Sequence, residues 1–299
     1  MKKLAINFGV LCLAVSCTVN APDKRTPSET FYAEIEPVEA PATKVYADAQ
    51  LRVLWDADDR ITVFNKYTFN QEYRFSGRSG ANSGEFGVVD NGSIHTGNDL
   101  ENVYAIYPYQ SSTEISNDGL IGFDLSSTQV YREDSFGKGA NVMVSATGDN
   151  NLRFKNLCGY ISFQFYGTDL SVSSIRLKGN NSESLSGHVT VTATVDALPE
   201  LSFNGSECGK EIELYCENPV QLASTADDAT VFWMVIPPTV FENGFTLMVQ
   251  TNRGVYKRKL HKEVEISRNK RTKMSAIEVI PAVGGLQNFE EVDDWNWDE

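Results

Sequence analysis

Few residues in this chain have both the type and the spacing that chemistry demands. The histidines are His95, His188 and His261, each distant in sequence from the others. No H-E-x-x-H or C-x-x-C pattern accompanies them, so no metal ligand, cofactor or catalytic residue is assigned. Ser267-Arg268-Asn269-Lys270 fits an S-x-x-K spacing, in which a lysine activates a serine, but the partner motifs of a penicillin-type site are missing. The Gly-rich segments 77–84 and 137–139 lack a phosphate-loop lysine and a following helix. Asp56, Asp58 and Asp59 offer oxygens of the kind calcium takes, yet no EF-hand glycine or distal glutamate stands at the needed spacing. A charged turn between Trp55 and the run Ile61-Thr62-Val63-Phe64 accounts for them. Two carboxylates that hydrolyse a glycoside would meet only in space, so a hydrolase stays as an alternative while the expectation is a protein that is not an enzyme.

Cys17 stands in a more telling context. Lys2 and Lys3 are followed by an apolar run, 4–15, broken only by Asn7, and then by small Ser16. That order predicts a secretory signal peptide over residues 1–16, too short to span a membrane as a helix. Leu13-Ala14-Val15-Ser16-Cys17 resembles the bacterial lipobox, with its leucine one place further from the cysteine than that motif prefers. Cys12 follows bulky Leu11 and fits a cleavage position less well. The resemblance implies lipidation of Cys17 and a lipid-anchored protein of the outer membrane. Two or more acyl chains, at ~0.8 kcal/mol per buried methylene, hold a protein firmly. No later stretch reaches ~18 consecutive apolar residues, so the lipid is the expected membrane attachment. Polar, proline-containing residues 17–29 read as a flexible tether.

The chain carries 26 Lys+Arg against 40 Asp+Glu, a net charge of −14 that becomes −16 once Lys2 and Lys3 leave with the signal. Such a surface repels phosphate backbones, and nucleic acid is excluded as an expected partner. Cys158, Cys208 and Cys216 remain after Cys17. Export permits a disulfide, but an odd number leaves at least one thiol free. Cys216 keeps phase with Ile212 and Leu214, as a buried small hydrophobe would.

The elements that must position these residues alternate with period two. Val189, Val191, Ala193 and Val195 face away from Thr190, Thr192 and Thr194; Ile161, Phe163 and Phe165 alternate with Ser162, Gln164 and Tyr166. Phe245, Leu247 and Val249 repeat the pattern, which is that of strands buried on one face. The run 231–236 is apolar on both faces, as in a central strand, and Pro237-Pro238 ends it. Asn91-Gly92, Asp118-Gly119, Asn204-Gly205 and Asn243-Gly244 supply turns. An all-β fold of sandwiches or barrels follows, with domains over 30–150 and 151–280 meeting at the polar turn 148–151, and an acidic tail over 281–299. The tyrosines of the run 104–109 read as core, whereas Trp295 and Trp297 could stack on sugars. A surface glycan-binding lipoprotein is therefore the first alternative function.

Several of these segments together resemble the fimbrillin-like (Mfa-like) proteins of gut and oral anaerobic bacteria. They are Phe31-Tyr32-Ala33-Glu34-Ile35-Glu36, the run 55–64, Tyr104-Ala105-Ile106-Tyr107-Pro108-Tyr109, Phe154-Lys155-Asn156-Leu157-Cys158-Gly159, Leu185-Ser186-Gly187, and the run 232–238 followed by Gly244-Phe245-Thr246. The resemblance spans roughly residues 30–280. It implies two tandem transthyretin-like β-sandwich domains and a cell-surface structural or adhesive subunit, whether stalk, tip or anchor. Partners would be other fimbrial subunits or ligands on host or bacterial surfaces. It further implies assembly by strand exchange after a protease cuts behind the first strand. Here that strand is 30–36, with Phe31, Ala33 and Ile35 on one face. The two prolines of 37–44 suit an exposed loop, and Lys44 is the candidate cleavage residue. The tail beyond Gly284-Gly285 is long enough to donate a strand, though its acidity suits a solvated end equally.

Overall fold

The computed structural model describes residues 30–38, 52–89, 99–205, 208–280, 288–292 and 297–298. Residues 1–29, expected as signal and tether, lie outside them, as do Lys44 and His95; Cys17 falls within that stretch. Every regular element among the described residues is a strand. The chain begins with β1 (Thr30–Ile35), β2 (Arg60–Asn65), β3 (Thr68–Phe75), β4 (Ser83–Val88) and β5 (Val103–Tyr107). Three short strands follow, β6 (Glu114–Ile115), β7 (Leu120–Leu125) and β8 (Thr128–Val130), then the hairpin of β9 (Met143–Thr147) and β10 (Asn151–Asn156). Next come β11 (Gly159–Tyr166), β12 (Ser171–Gly179), β13 (Gly187–Thr192), β14 (Glu200–Phe203), β15 (Glu211–Gln221) and β16 (Thr230–Ile236). The body ends with β17 (Thr239–Phe241), β18 (Phe245–Thr251), β19 (Gly254–Leu260), β20 (Val264–Ile266), β21 (Arg271–Met274) and β22 (Ile277–Glu278). The tail adds β23 (Asn288–Val292) and β24 (Trp297–Asp298).

The first sheet closes on itself as a barrel in the order β1-β10-β9-β5-β2-β3-β4, because β1 pairs along both of its edges. The second half faces two sheets across one core, β16-β11-β21-β24 against β23-β19-β18-β12-β15-β8. Ile161, Phe163, Phe165, Phe232 and Met234 from one meet Ile175, Leu177, Leu214, Leu247 and Val249 from the other. This is the sandwich that the alternation implies, with inward side chains on every second residue.

The boundary between the halves differs from the one the sequence suggests. The turn at 148–151 is the bend of the β9–β10 hairpin, and β10 lies inside the barrel beside β1. A cut at 150 would therefore split one sheet; the passage to the second core comes at residues 157–161. Moreover, the halves share sheets. β7 pairs with β13 from Leu125↔Gly187 to Leu120↔Thr192, and β8 pairs in parallel with β15. The run 231–236 is likewise not central. β16 is the end of its sheet, and it is apolar on both faces because Trp233 and Val235 pack into the first core while Phe232, Met234 and Ile236 pack into the second. The side-chain amide of Gln129 occupies the open edge there, donating to the Val235 carbonyl at 2.7 Å and accepting its N–H at 2.9 Å.

Part of the acidic tail is folded back as strand. β23 runs parallel to β19 with Asn288 opposite Tyr256 and Val292 opposite Leu260, and β24 pairs with β21.

Candidate functional site

The first strand is the element that completes the barrel. Phe31, Ala33 and Ile35 are buried while Thr30, Tyr32 and Glu34 face outward, which is the period-two pattern of its sequence. Its neighbours are β10 in parallel, from Tyr32↔Asn151 to Ile35↔Phe154, and β4 in antiparallel, from Thr30↔Gly87 to Glu34↔Ser83. The Phe31 ring meets Tyr73 edge-on with centroids 5.0 Å apart. Burying such a ring stabilises by about 2–3 kcal/mol, and the edge contact adds roughly 1 kcal/mol. The row around Ala33 is crowded. Opposite it stands Gly84, where an added Cβ would lie 2.6 Å from the Phe75 ring.

The exit of β1 is held by the second half of the chain. Glu36 donates its N–H to the Phe154 carbonyl at 2.9 Å, continuing the ladder one residue past the strand. Its carboxylate accepts the Asn156 N–H at 2.5 Å and is paired with the guanidinium of Arg268. Arg268 also donates to the Asn156 carbonyl at 2.8 Å, and Asn269 Nδ2 donates to the Pro37 carbonyl at 2.9 Å. Behind them, Asn156 Nδ2 reaches Asn269 Oδ1 at 2.8 Å, Asn141 Nδ2 reaches Asn156 Oδ1 at 2.6 Å, and the Tyr160 hydroxyl reaches Asn141 Oδ1 at 3.1 Å. Asn141, Asn156, Tyr160 and Asn269 are essentially inaccessible, and the Arg268 and Glu36 side chains are only 13% and 20% exposed. Burial pushes the Tyr160 phenol well above its ordinary range, so it stays a neutral donor.

Local backbone geometry explains why Arg268 and Asn269 arrive there. Asn269 adopts φ 59°, a left-handed conformation that asparagine tolerates better than most residues. It turns the chain between β20 and β21, and its N–H donates to the Cys158 carbonyl at 2.8 Å. Gly159 lets β11 approach this turn; a Cβ on it would sit 2.3 Å from the Ser267 carbonyl oxygen. The S-x-x-K segment is thus a structural turn whose middle residues grip β1.

The acidic triplet forms a second cluster, within the first half. Asp58 occupies the turn at φ 64°. Asp56 pairs with Arg132, and this hydrogen bond holds its carboxyl below the usual range. Asp59 is buried. It accepts the Asp56 N–H at 2.7 Å and the Tyr107 hydroxyl at 3.0 Å, with Lys138 Nζ 3.3 Å away. Burial raises its pKa despite those partners and raises that of Tyr107 as well. Asp56, Asp59, Tyr107, Arg132 and Lys138 line a cavity of about 330 Å³, where Trp55 Nε1 is buried with no hydrogen-bond partner among the described residues. Both carboxylates already face cations, so the arrangement ties loops 52–59 and 132–139 together. Among the described residues no group of three or more His, Cys, Asp or Glu side chains could hold a metal ion.

The other sequence candidates are dispersed. His188 is exposed and contacts Asp124 at 2.8 Å, while His261 is exposed far along the chain. Cys158, Cys208 and Cys216 are free and buried, and burial pushes the Cys158 and Cys216 thiols up to about 12 and about 11. Of the tyrosines in the run 104–109, Tyr107 is core, whereas Tyr104 and Tyr109 are half-buried. Glu36, Asn156, Arg268 and Asn269 were not singled out by sequence as a set. Their local signals are an asparagine placed beside apolar positions in Lys155-Asn156-Leu157-Cys158 and the S-x-x-K spacing that holds Arg268 and Asn269, and neither unites them, because the contacts cross 112 to 232 residues.

No protein-family model matches the sequence, and no curated protein matches it. Among solved structures the chain is similar to a candidate cell-adhesion protein of Bacteroides ovatus. The two share 18% identity with a TM-score of 0.51, over 83% of this chain and 91% of that one. A candidate cell-adhesion protein of Bacteroides fragilis shares 13% identity at a TM-score of 0.45, over 90% and 96%. The tip fimbrial protein Mfa3 of Porphyromonas gingivalis shares 13% at 0.33, over 84% and 96%. The first likeness shows a common fold; the other two superpose too loosely to add to it. These neighbours are candidate cell-adhesion proteins of Bacteroides and a tip fimbrial protein of Porphyromonas.

Proposed function

We propose that this protein is a fimbrillin-like subunit of the cell surface, lipidated at Cys17, with a first strand that can be exchanged for one from another subunit. The observation that carries the reading is β1 itself. It is a six-residue strand at the start of the body, hydrogen-bonded on both sides, with three buried residues that fill the barrel. Its removal would expose an apolar groove flanked by the unpaired edges of β4 and β10, the condition under which an added strand gains ladder hydrogen bonds and buried side chains together. The candidate cleavage residue, Lys44, follows that strand in sequence. Shared fold with the Bacteroides ovatus protein agrees with this role. The cluster around Asp59 supports neither hydrolysis nor glycan capture, since its charged groups are engaged with one another.

The test is trypsin titration of the mature chain followed by N-terminal sequencing and size-exclusion chromatography. Uncut protein should elute as a monomer, and cleavage after Lys44 should let the body exchange its first strand for an added labelled peptide of residues 30–38. Complete cleavage there with no uptake of the peptide overturns the exchange. In cells, a fatty-acid analogue should label the protein, and Cys17→Ala should abolish labelling and release the protein from membranes.

A further inference from the structure

Building on the strand exchange proposed above, we infer that the barrel groove is selective. It accepts a partner subunit's strand of the pattern large apolar, x, small, x, branched apolar, acidic, and Arg268 reads the final carboxylate. Three features of β1 set the pattern. Phe31 occupies an aromatic site against Tyr73. Ala33 is fully buried and stands opposite Gly84, over which the Phe75 ring lies too close for even a Cβ, so a small residue suits this row. Ile35 is the last inward residue, and Glu36 follows it into the grip of Arg268.

The acidic requirement comes from what would be left behind. With β1 gone, the guanidinium of Arg268 keeps the Asn156 carbonyl but loses its carboxylate, and Asn156 N–H loses its acceptor. A mostly buried cation without its anion is costly, so a strand that brings a carboxylate to this position is favoured over one that does not. Asn269 adds a directional constraint, because its amide takes the carbonyl of the residue after the acid. That bond fixes register as well as charge.

The requirement discriminates among the strands available. In the chain's own tail, aligning Asp298 with Glu36 puts Trp297 at the place of Ile35, Trp295 at that of Ala33 and Asp293 at that of Phe31. A tryptophan in the small site overpacks it and an aspartate in the aromatic site is buried unpaired. Aligning Glu290 instead places Gln287 and Gly285 at the inner positions, and aligning Asp293 places Glu290 there. No acidic residue of the tail satisfies all three sites, so the tail of a second copy is excluded as the occupant.

The experiment uses the full mature chain with a specific protease site placed within 39–44. After cutting, the protein is incubated with labelled peptides: the native sequence 30–38, the same with Glu36→Gln, the same with Ala33→Leu, and the tail 286–299. Incorporation is read by size-exclusion fluorescence and mass spectrometry. The native peptide should enter, and the Glu36→Gln peptide should bind at least tenfold more weakly. The Ala33→Leu and tail peptides should fail. In an Arg268→Gln body, which keeps a donor but not the charge, the native and Glu36→Gln peptides should bind alike. Equal entry of those two peptides into the unaltered body, or entry of the tail peptide as well as the native one, overturns the inference. If even the native peptide fails to enter, the strand-exchange reading falls with it. A chain left uncut gives an independent arm. The urea midpoints of Glu36→Gln, Arg268→Gln and the double variant should be non-additive, and strict additivity rejects the contact on which the selectivity depends.

Discussion

Two carboxylate–arginine pairs look alike in isolation and differ in what they join. Asp56 and Arg132 lie 76 residues apart, both in the first half, and link two loops over one core. Glu36 and Arg268 lie 232 residues apart and cross from the exit of β1 to the turn between β20 and β21. The Arg132 side chain is half exposed, whereas that of Arg268 is 13% exposed and backed by three buried asparagines. Water can replace the first pair at little cost. It cannot easily reach the second, so the second behaves as part of the tertiary structure. Position relative to the seam, more than chemical type, separates a loop tie from a latch.

The largest effect is expected at the strand the latch holds. Phe31→Ala removes a fully buried ring and should cost about 3–5 kcal/mol in urea unfolding. A loss below ~1 kcal/mol would mean that β1 is seated loosely and that the latch is all that keeps it. Arg268→Ala should cost about 2 kcal/mol, less than a wholly buried pair because both partners retain some solvent. By contrast, Arg132→Ala should cost under about 1 kcal/mol, as for exposed pairs. Parity between the two arginine variants would erase the distinction between latch and tie.

The smallest effect concerns pH and the buried member of the loop cluster. The Asp59 carboxyl has its pKa raised in the folded state above the unfolded value near 3.8, chiefly by burial. Folded protein therefore binds this proton more tightly than unfolded protein. Between the raised folded pKa and the unfolded value, its contribution to stability increases as pH falls. Asp56, held below its ordinary value by Arg132, acts in the opposite sense and at lower pH: its contribution is present above the unfolded value and lost as pH falls through the folded one. Urea midpoints measured from neutral pH to about pH 4 should show the Asp59 gain, and Asp59→Asn should remove it. An unchanged slope in that variant would place the proton elsewhere.

Much of the fold is legible in the sequence because period-two alternation is local. Phe31, Ala33 and Ile35, or Phe245, Leu247 and Val249, announce strands buried on one face and the structure buries them so. The acidic triplet likewise reads as a turn and is one. Strand partners are another matter. Nothing in residues 151–156 says that they join the barrel rather than start a new domain, since their alternation suits either sheet. The double-sided apolar run 231–236 marks burial on two faces, and burial alone does not tell a central strand from an edge wedged between two cores. Arg268 was visible only as part of an S-x-x-K spacing. Its role depends on Gly159 admitting β11 against the 267–270 turn, a contact no spacing rule encodes. The tail's strands β23 and β24 were ambiguous for the same reason, because their acidity is compatible with solvent or with a basic neighbour.

The proposed exchange requires β1 to be a separable part of the barrel, retained by covalent continuity and by the latch. Hydrogen exchange read by mass spectrometry on the mature chain, before and after a single cut within 39–44, tests it most directly. Before the cut, amides of β1, β4 and β10 should be protected as strongly as those of β12 and β18. After the cut, protection should fall in β1, β4 and β10 while β12 and β18 keep theirs, and an excess of native 30–38 peptide should restore β4 and β10. Undiminished protection of all five strands in the cut protein, with no uptake of the peptide, would show that β1 is a permanent stave of the barrel and not an exchangeable strand.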